Sequence, residues 1–222
     1  MNLHTGSDQN TSETSATRLA FNKLRDLILS GELAPGEKLK IDTLRDTLGM
    51  GASPIREALS LLTSDKLVVR HDQRGFRTAD TSRENFEEIL ELRCEIESLA
   101  LRKSIETATD EWAEQIVLAH YRMTRAQDSD DKDFETLHKQ FHMTLIGNCQ
   151  SPILMGFCGQ LYDLNIRYRF IAARAAGYAG RNIGDEHQRI LDAAIARDAN
   201  AACNLLCVHY KTTGAFVAKF IS

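Results

Sequence analysis

From about residue 83 onward the chain keeps one pattern: apolar residues recur three and four positions apart, with polar residues between them. That period predicts helices over about 83–105, 109–127, 132–147, 151–174, 183–196 and 198–220. An acidic stretch at 128–131 separates two of them, and neither strand-like alternation nor an internal repeat interrupts the series. Consecutive amphipathic helices joined by short turns bury their stripes best against one another, as an antiparallel bundle.

The first third reads differently. Leu19, Leu24, Leu27 and Ile28 predict a helical face, ended by Gly31 and the Pro35-Gly36 pair. A second short helix covers Ile41–Leu48 and stops at Gly49. Ser53-Pro54 reads as an N-cap followed by proline at the first helical position. The third helix then runs Pro54–Ser64, with Ile55, Leu59 and Leu62 inward. Leu67–Val69, a polar turn at His71–Arg74 closing at Gly75, and Phe76–Thr78 make a β-hairpin. Three helices and a hairpin spell a winged helix-turn-helix. Residues 1–14 are polar without an apolar period and read as a disordered arm. Asp80–Arg83 reads as a linker. The expected organisation is therefore an arm at 1–14, a DNA-binding domain at 15–80 and a helical domain at 81–222. The fold class is mainly α.

Charge sharpens this division. The 222 residues carry a net charge of −4, which argues against a protein that coats nucleic acid. Residues 15–80, however, hold 11 Lys and Arg against 9 Asp and Glu, and the negative excess lies elsewhere. The five cysteines contain no C-x-x-C, and four sit inside helical patterns, where a free thiol packs as a small apolar group. This usage suits a reducing cytoplasm. No apolar run reaches the length of a membrane span, so no membrane partner is expected.

Histidine placement points to chemistry in the second part. His138 and His142 lie at i and i+4 on the stripe Phe134, Leu137, Phe141, Leu145. His187 leads the stripe Ile190, Leu191, Ala194, and His209 falls within Ala202, Leu205, Leu206, Phe216. Each imidazole could be a separate core residue bonded to a carbonyl. A shared divalent transition metal would instead satisfy all four at once, because neutral imidazole is a common metal ligand. Arg93 also lies on an inward stripe, where its charge needs a carboxylate, from Glu97 one turn on or from a bound ligand. Tyr168 shares a face with Leu161, Leu164 and Asn165 and is a candidate for the same cavity; Arg167 and Arg169 flank it, and periodicity does not choose between them. Asn148 follows Ile146-Gly147 and reads equally as a helix-end residue or a ligand contact.

On the DNA side, Ser53 and Arg56 open the third helix, whose N-terminal end would enter the major groove. Arg56 can reach base edges or phosphate. Arg45 on the preceding helix would face the backbone, and Arg70, Arg74 and Arg77 cluster on the wing. The expected partner is double-stranded operator DNA of two-fold symmetry, bound by a homodimer.

These motifs together resemble the GntR superfamily of bacterial transcription regulators. The likeness is carried by "LRDLILSGELAPGEKLKIDTLRDTLGMGASPIREALSLLTSDKLVV", followed by "QRGFRTA". The second part is similar to the FadR-type, all-helical FCD effector domain through "ELRCEIESLA", "HKQFHMTLIGNC", "DEHQRILDAAIARD" and "ACNLLCVHY". Two positions depart from the family pattern. Ala52 stands where an arginine usually precedes the recognition helix. His138 replaces the usual aspartate of D-x-x-x-H, giving an all-histidine set that suits zinc or nickel over magnesium. The resemblance implies an effector pocket containing Arg93, with one end of a small carboxylate on the metal. The H-x-x-F-H variant is most similar to the carbon-starvation-induced regulators, which implies a C4–C5 dicarboxylate such as glutarate, or a hydroxy acid, as effector. An open metal site would also suit a hydrolase with Glu186 as base, or a purely structural ion. The winged helix-turn-helix, and the lack of H-E-x-x-H or a nucleophile motif, favour a regulator, most simply a repressor, over an enzyme.

Overall fold

The computed structural model describes residues 7–128, 133–175 and 183–221. Residues 1–6 of the expected arm, and the acidic stretch beyond Asp128, lie outside the described residues. The chain divides into two units, one of residues 1–82 with 166–171 and one of 83–165 with 172–222.

The first unit contains α1 (Ser7–Leu29), β1 (Lys38–Leu39), α2 (Ile41–Leu48), α3 (Ala52–Ser64), β2 (Val68–His71) and β3 (Gly75–Thr78). Its core comes from Ala20, Leu24 and Ile28 of α1, Leu44 of α2, Ile55, Ala58, Leu59 and Leu62 of α3, and Leu67 and Val68. Each large apolar side chain so buried contributes about 1.5–3 kcal/mol. The strands form an antiparallel sheet of order β1-β3-β2, in which Phe76 lies opposite Leu39 on one side and Arg70 on the other. The β2–β3 hairpin closes through Gly75 at φ 83°, a left-handed conformation in which a side chain would be strained.

Four details differ from the pattern-based expectation. The helix α1 begins at Ser7, so 7–14 is helical where an irregular arm was expected. Neither Gly nor Pro lies between Ser7 and Leu29, so each added residue extends the ladder by one hydrogen bond. Leu19 is 48% exposed, and Ala20 holds the inward position; Ala20, Leu24 and Ile28 step by four, whereas Leu19 and Leu24 are five apart. The helix α3 starts at Ala52 with Gly51 as N-cap, so Ser53 lies inside the first turn. The two-residue β1 was not expected; it is too short to show alternation and exists through its pairing with β3.

The second unit contains α4 (Arg83–Glu106), α5 (Asp110–Asp128), α6 (Phe134–Leu145), α7 (Pro152–Ala175), α8 (Ile183–Ile195) and α9 (Ala199–Val217), then a 3₁₀ turn at Ala218–Phe220. All six helices lie within two or three residues of the ends expected from periodicity. The core joins Leu101 and Ile105 of α4, Trp112 and Ile116 of α5, Leu145 of α6, Ile190 of α8 and Leu206 of α9. Asp198 caps α9 by accepting from the Ala201 amide at 2.9 Å. Gly214 lets α9 approach α4: a Cβ there would collide with Leu90 Cδ2. Among the described residues no helix is long and apolar enough to cross a membrane.

Candidate functional site

Three helical stripes, on α6, α8 and α9, deliver the four histidines to one place. His138, His142, His187 and His209 are all buried, and one ligand atom from each falls within 4.8 Å of every other. The rings of His138 and His142 are 4.6 Å apart between centroids, as are those of His187 and His209. His142 lies 5.2 Å from His187 and 5.5 Å from His209.

The hydrogen bonds around the cluster fix two tautomers. The Tyr210 hydroxyl donates to Glu97 Oε2 at 2.5 Å, so its oxygen is the acceptor for His142 Nδ1–H at 3.1 Å. Glu186 Oε2 accepts from His209 Nδ1–H at 2.8 Å. Both residues therefore present Nε2 as a lone pair. His138 Nδ1 lies 2.7 Å from the Tyr162 hydroxyl, and its Nε2 lies 3.3 Å from His142 Nε2. Two ring nitrogens facing at that distance need a proton or a cation between them. Two nitrogens bound at about 2.1 Å to one ion would be about 3.0–3.4 Å apart, so this edge fits a common metal. A carboxylate or hydroxyl on the outer ring nitrogen is the usual support of a metal-bound histidine. The residues present therefore fit a divalent ion, held through neutral imidazoles with no carboxylate in the ligand set.

Arg93 meets Glu97, one of the two carboxylate sources considered for it. Its Nε donates to Glu97 Oε1 at 2.5 Å, NH2 to Oε2 at 3.4 Å, and NH1 to Asn165 Oδ1 at 2.9 Å. The guanidinium also lies 4.0 Å from the Tyr210 ring centroid and 5.1 Å from that of Tyr162. Burial is the largest single influence and opposes its charge, but Glu97, Tyr210 and Tyr162 together outweigh it and the net displacement of its pKa is upward. Burial, reinforced by Glu97, also raises the Tyr210 hydroxyl well above its ordinary range, so it stays a donor. A continuous chain thus runs Arg93–Glu97–Tyr210–His142, and Arg93 reaches the histidines through Glu97 and Tyr210.

The other candidates are placed elsewhere. Arg167 and Tyr168 group with the first unit, not with the histidines. Arg167 NH2 donates to the Ala79 carbonyl at 2.7 Å, and the Tyr168 hydroxyl engages the Ser82 backbone. Burial lowers the Arg167 pKa and raises that of Tyr168. Arg169 is half-buried. Asn148 takes the helix-end option: its amide donates to the Ser104 and Thr107 carbonyls at the end of α4, at 3.1 and 2.7 Å. Glu186, weighed as a hydrolytic base, is engaged in orienting His209. Periodicity did not single out Tyr162 or Tyr210, since a tyrosine on an apolar stripe reads as core.

On the first unit, Arg45, Ser53, Arg56, Arg70, Arg74 and Arg77 are all exposed. Arg45 lies 3.5 Å from Asp42, an exposed pair of little energetic weight. Ser53 Oγ donates to Glu57 Oε1 at 3.3 Å, while Glu57 Oε2 accepts from Thr17 at 2.8 Å. Arg77 NH1 donates to the Gly36 carbonyl at 2.8 Å. Arg56 projects from the early turns of α3, and Arg70 and Arg74 from the wing.

Comparison with known proteins finds a family match in each part of the chain. The family described as bacterial regulatory proteins, gntR family, matches residues 17–77, and the FCD domain matches residues 88–212. The uncharacterized HTH-type transcriptional regulator BphR of Paraburkholderia xenovorans is 32% identical over 93% of this chain and 86% of its own. The chain belongs to the GntR family. A second relative, the HTH-type transcriptional repressor GlaR of Escherichia coli, is 29% identical over 86% of this chain and 91% of its own. The solved structure of E. coli McbR/YncC shares the fold, with a TM-score of 0.81 at 22% identity, covering 92% of this chain and 97% of that one. This GntR-family chain is accordingly a DNA-binding transcription regulator with an FCD effector domain, and not an enzyme.

Proposed function

We propose that this GntR-family protein is a cytoplasmic repressor. It binds a two-fold operator as a homodimer and lets go when a small carboxylate reaches a histidine-held zinc or nickel ion. Residues 15–80 supply the DNA-binding part, and residues 81–222 the metal and effector part. The observation that carries the reading is the 3.3 Å approach of His138 and His142 Nε2, with the outer nitrogens engaged by Tyr162 and Tyr210. A four-imidazole set contributes no negative charge, so the ion keeps its full attraction for a carboxylate, which would enter by expansion of the coordination beyond four. The relative named as a repressor supports that sign of regulation.

Arg93 gives a dicarboxylate its second anchor. Its guanidinium fork already holds one carboxylate, that of Glu97. A ligand carboxylate competing for this fork would loosen the Glu97–Tyr210 link on α4, the helix that follows the wing in sequence through residues 79–82. Differential affinity of the ligand for two arrangements is all that such a regulator requires. Arg56 would read a base edge or phosphate, with Ser53 beside it, and Arg45, Arg70, Arg74 and Arg77 would hold phosphates or the minor groove.

The test uses duplexes selected from a random-sequence library by the zinc- or nickel-loaded protein, then titrated with glutarate. Coupling of about 1–3 kcal/mol predicts a 5- to 150-fold loss of affinity. Loss of the response in Arg93→Ala, with DNA binding and metal content kept, supports the clamp. Unchanged affinity and melting temperature across a panel of C4–C5 dicarboxylates and hydroxy acids would overturn the effector assignment.

A further inference from the structure

We infer that Cys207 and Cys94 form a peroxide-oxidisable thiol pair that can lock α9 to α4 by a reversible disulfide. Three thiols converge between these two helices. Cys207 Sγ lies 3.7 Å from the Cys94 carbonyl and 3.2 Å from Ser98 Oγ, and it is within hydrogen-bonding reach of the Cys94 thiol. Cys203, one turn before Cys207, engages the Ser98 carbonyl at 3.4 Å. All five cysteines are free, and four are buried; Cys207 alone is half-exposed. An oxidant arriving from solvent therefore meets Cys207 first. Cys94 is buried and meets Cys207 from the interior, so it is placed to resolve an oxidised neighbour rather than to meet the oxidant itself; burial pushes its thiol up to about 12, which slows that second step without changing its direction. Cys203 shares a helix face with Cys207, whereas Cys94 approaches from the facing helix, the direction in which two Cβ–Sγ bonds can meet.

The chemistry balances with hydrogen peroxide as the only co-reactant. The Cys207 sulfur attacks one peroxide oxygen, the O–O bond breaks, and Cys207 sulfenic acid and one water form. The Cys94 sulfur then displaces the hydroxyl, a second water leaves, and the S–S bond forms. Two thiols are oxidised, one peroxide is reduced, and a dithiol reductant reverses the step. Cys94 follows Arg93 and precedes Glu97 by one turn, and Cys207 precedes Tyr210 by one turn. The crosslink would thus clamp the two helices that carry the Arg93–Glu97–Tyr210 chain. This inference does not depend on the metal reading, because it needs only the α4–α9 packing.

The test treats the reduced full-length protein with a few equivalents of hydrogen peroxide, blocks the remaining thiols with iodoacetamide, and maps peptides without reduction. The expected result is a crosslink between the Cys94 and Cys207 peptides within one chain, removed by dithiothreitol, with Cys149 and Cys158 still reduced. Cys207→Ser should abolish the crosslink, and its circular dichroism should match the parent. Cys203→Ser, whose thiol is not in the pair, should still form it. A Cys203–Cys207 disulfide, a crosslink between chains, Cys207 oxidised singly, or thiols all unreacted would each overturn the inference.

Discussion

At the residue scale, the decisive contacts are those that orient the imidazoles and the one that neutralises Arg93. Removing one partner of a buried ion pair leaves an uncompensated charge. Glu97→Ala should therefore cost about 3–5 kcal/mol of stability in urea unfolding; a loss below about 1 kcal/mol would show that Arg93 finds another partner. Tyr210→Phe should keep the fold while removing the acceptor of His142 Nδ1–H, so metal affinity in a competing-chelator titration should fall about 10–100-fold. Affinity equal to the parent's would mean that Tyr210 does not orient the ligand. The four histidines were legible in the sequence because i, i+4 spacing puts His138 and His142 on one apolar face. Their supports were not legible as such. Tyr162, Tyr210 and Glu186 come from three different helices, and only tertiary packing decides which ring nitrogen each one meets. Asn148 had two readings open, and its place beside the end of α4 is a property of packing.

At the element scale, α3 is the part most exposed to test. Its inward positions, Ile55, Ala58, Leu59 and Leu62, are fully buried, while Arg56 between them is exposed. The helix is thus anchored on one face and free to meet DNA on the other. Arg56→Ala should weaken binding to selected duplexes by about 1–3 kcal/mol and relax preference at one base position. Arg74→Ala on the wing should weaken binding to all sequences alike and lower the salt dependence. An Arg56→Ala protein that binds as tightly as the parent at ~0.15 M salt would show that α3 does not read the site. Helix identity was legible wherever an apolar stripe ran for several turns, as in α4 through α9. Legibility failed where no stripe exists. The polar start of α1 is carried by propagation from Ala20, Leu24 and Ile28, and β1 by pairing with β3.

At the scale of the whole molecule, the buried thiols set a limit on alkaline stability. Burial, then the neighbouring Cys207, pushes the Cys94 thiol up to about 12. Burial, then Glu97 and Cys149, does the same for Cys158. In the unfolded chain a thiol titrates near ~8.5. Between these values the folded state binds more protons than the unfolded one, so stability is full below about pH 8.5 and falls as pH rises toward 12. The melting temperature should therefore drop across that window, and Cys94→Ala with Cys158→Ala should flatten the drop; an unchanged slope would contradict the assignment.

The central claim is that four neutral imidazoles at the heart of the FCD domain hold one transition-metal ion. Native mass spectrometry with elemental analysis, on protein purified without chelator, tests it most directly. The expected result is one zinc or nickel per chain in the parent, and none in a folded His142→Ala variant, which also leaves the other three rings without their shared partner. A parent protein that is metal-free as purified, and that neither takes up zinc or nickel nor gains thermal stability when they are added, would contradict the account.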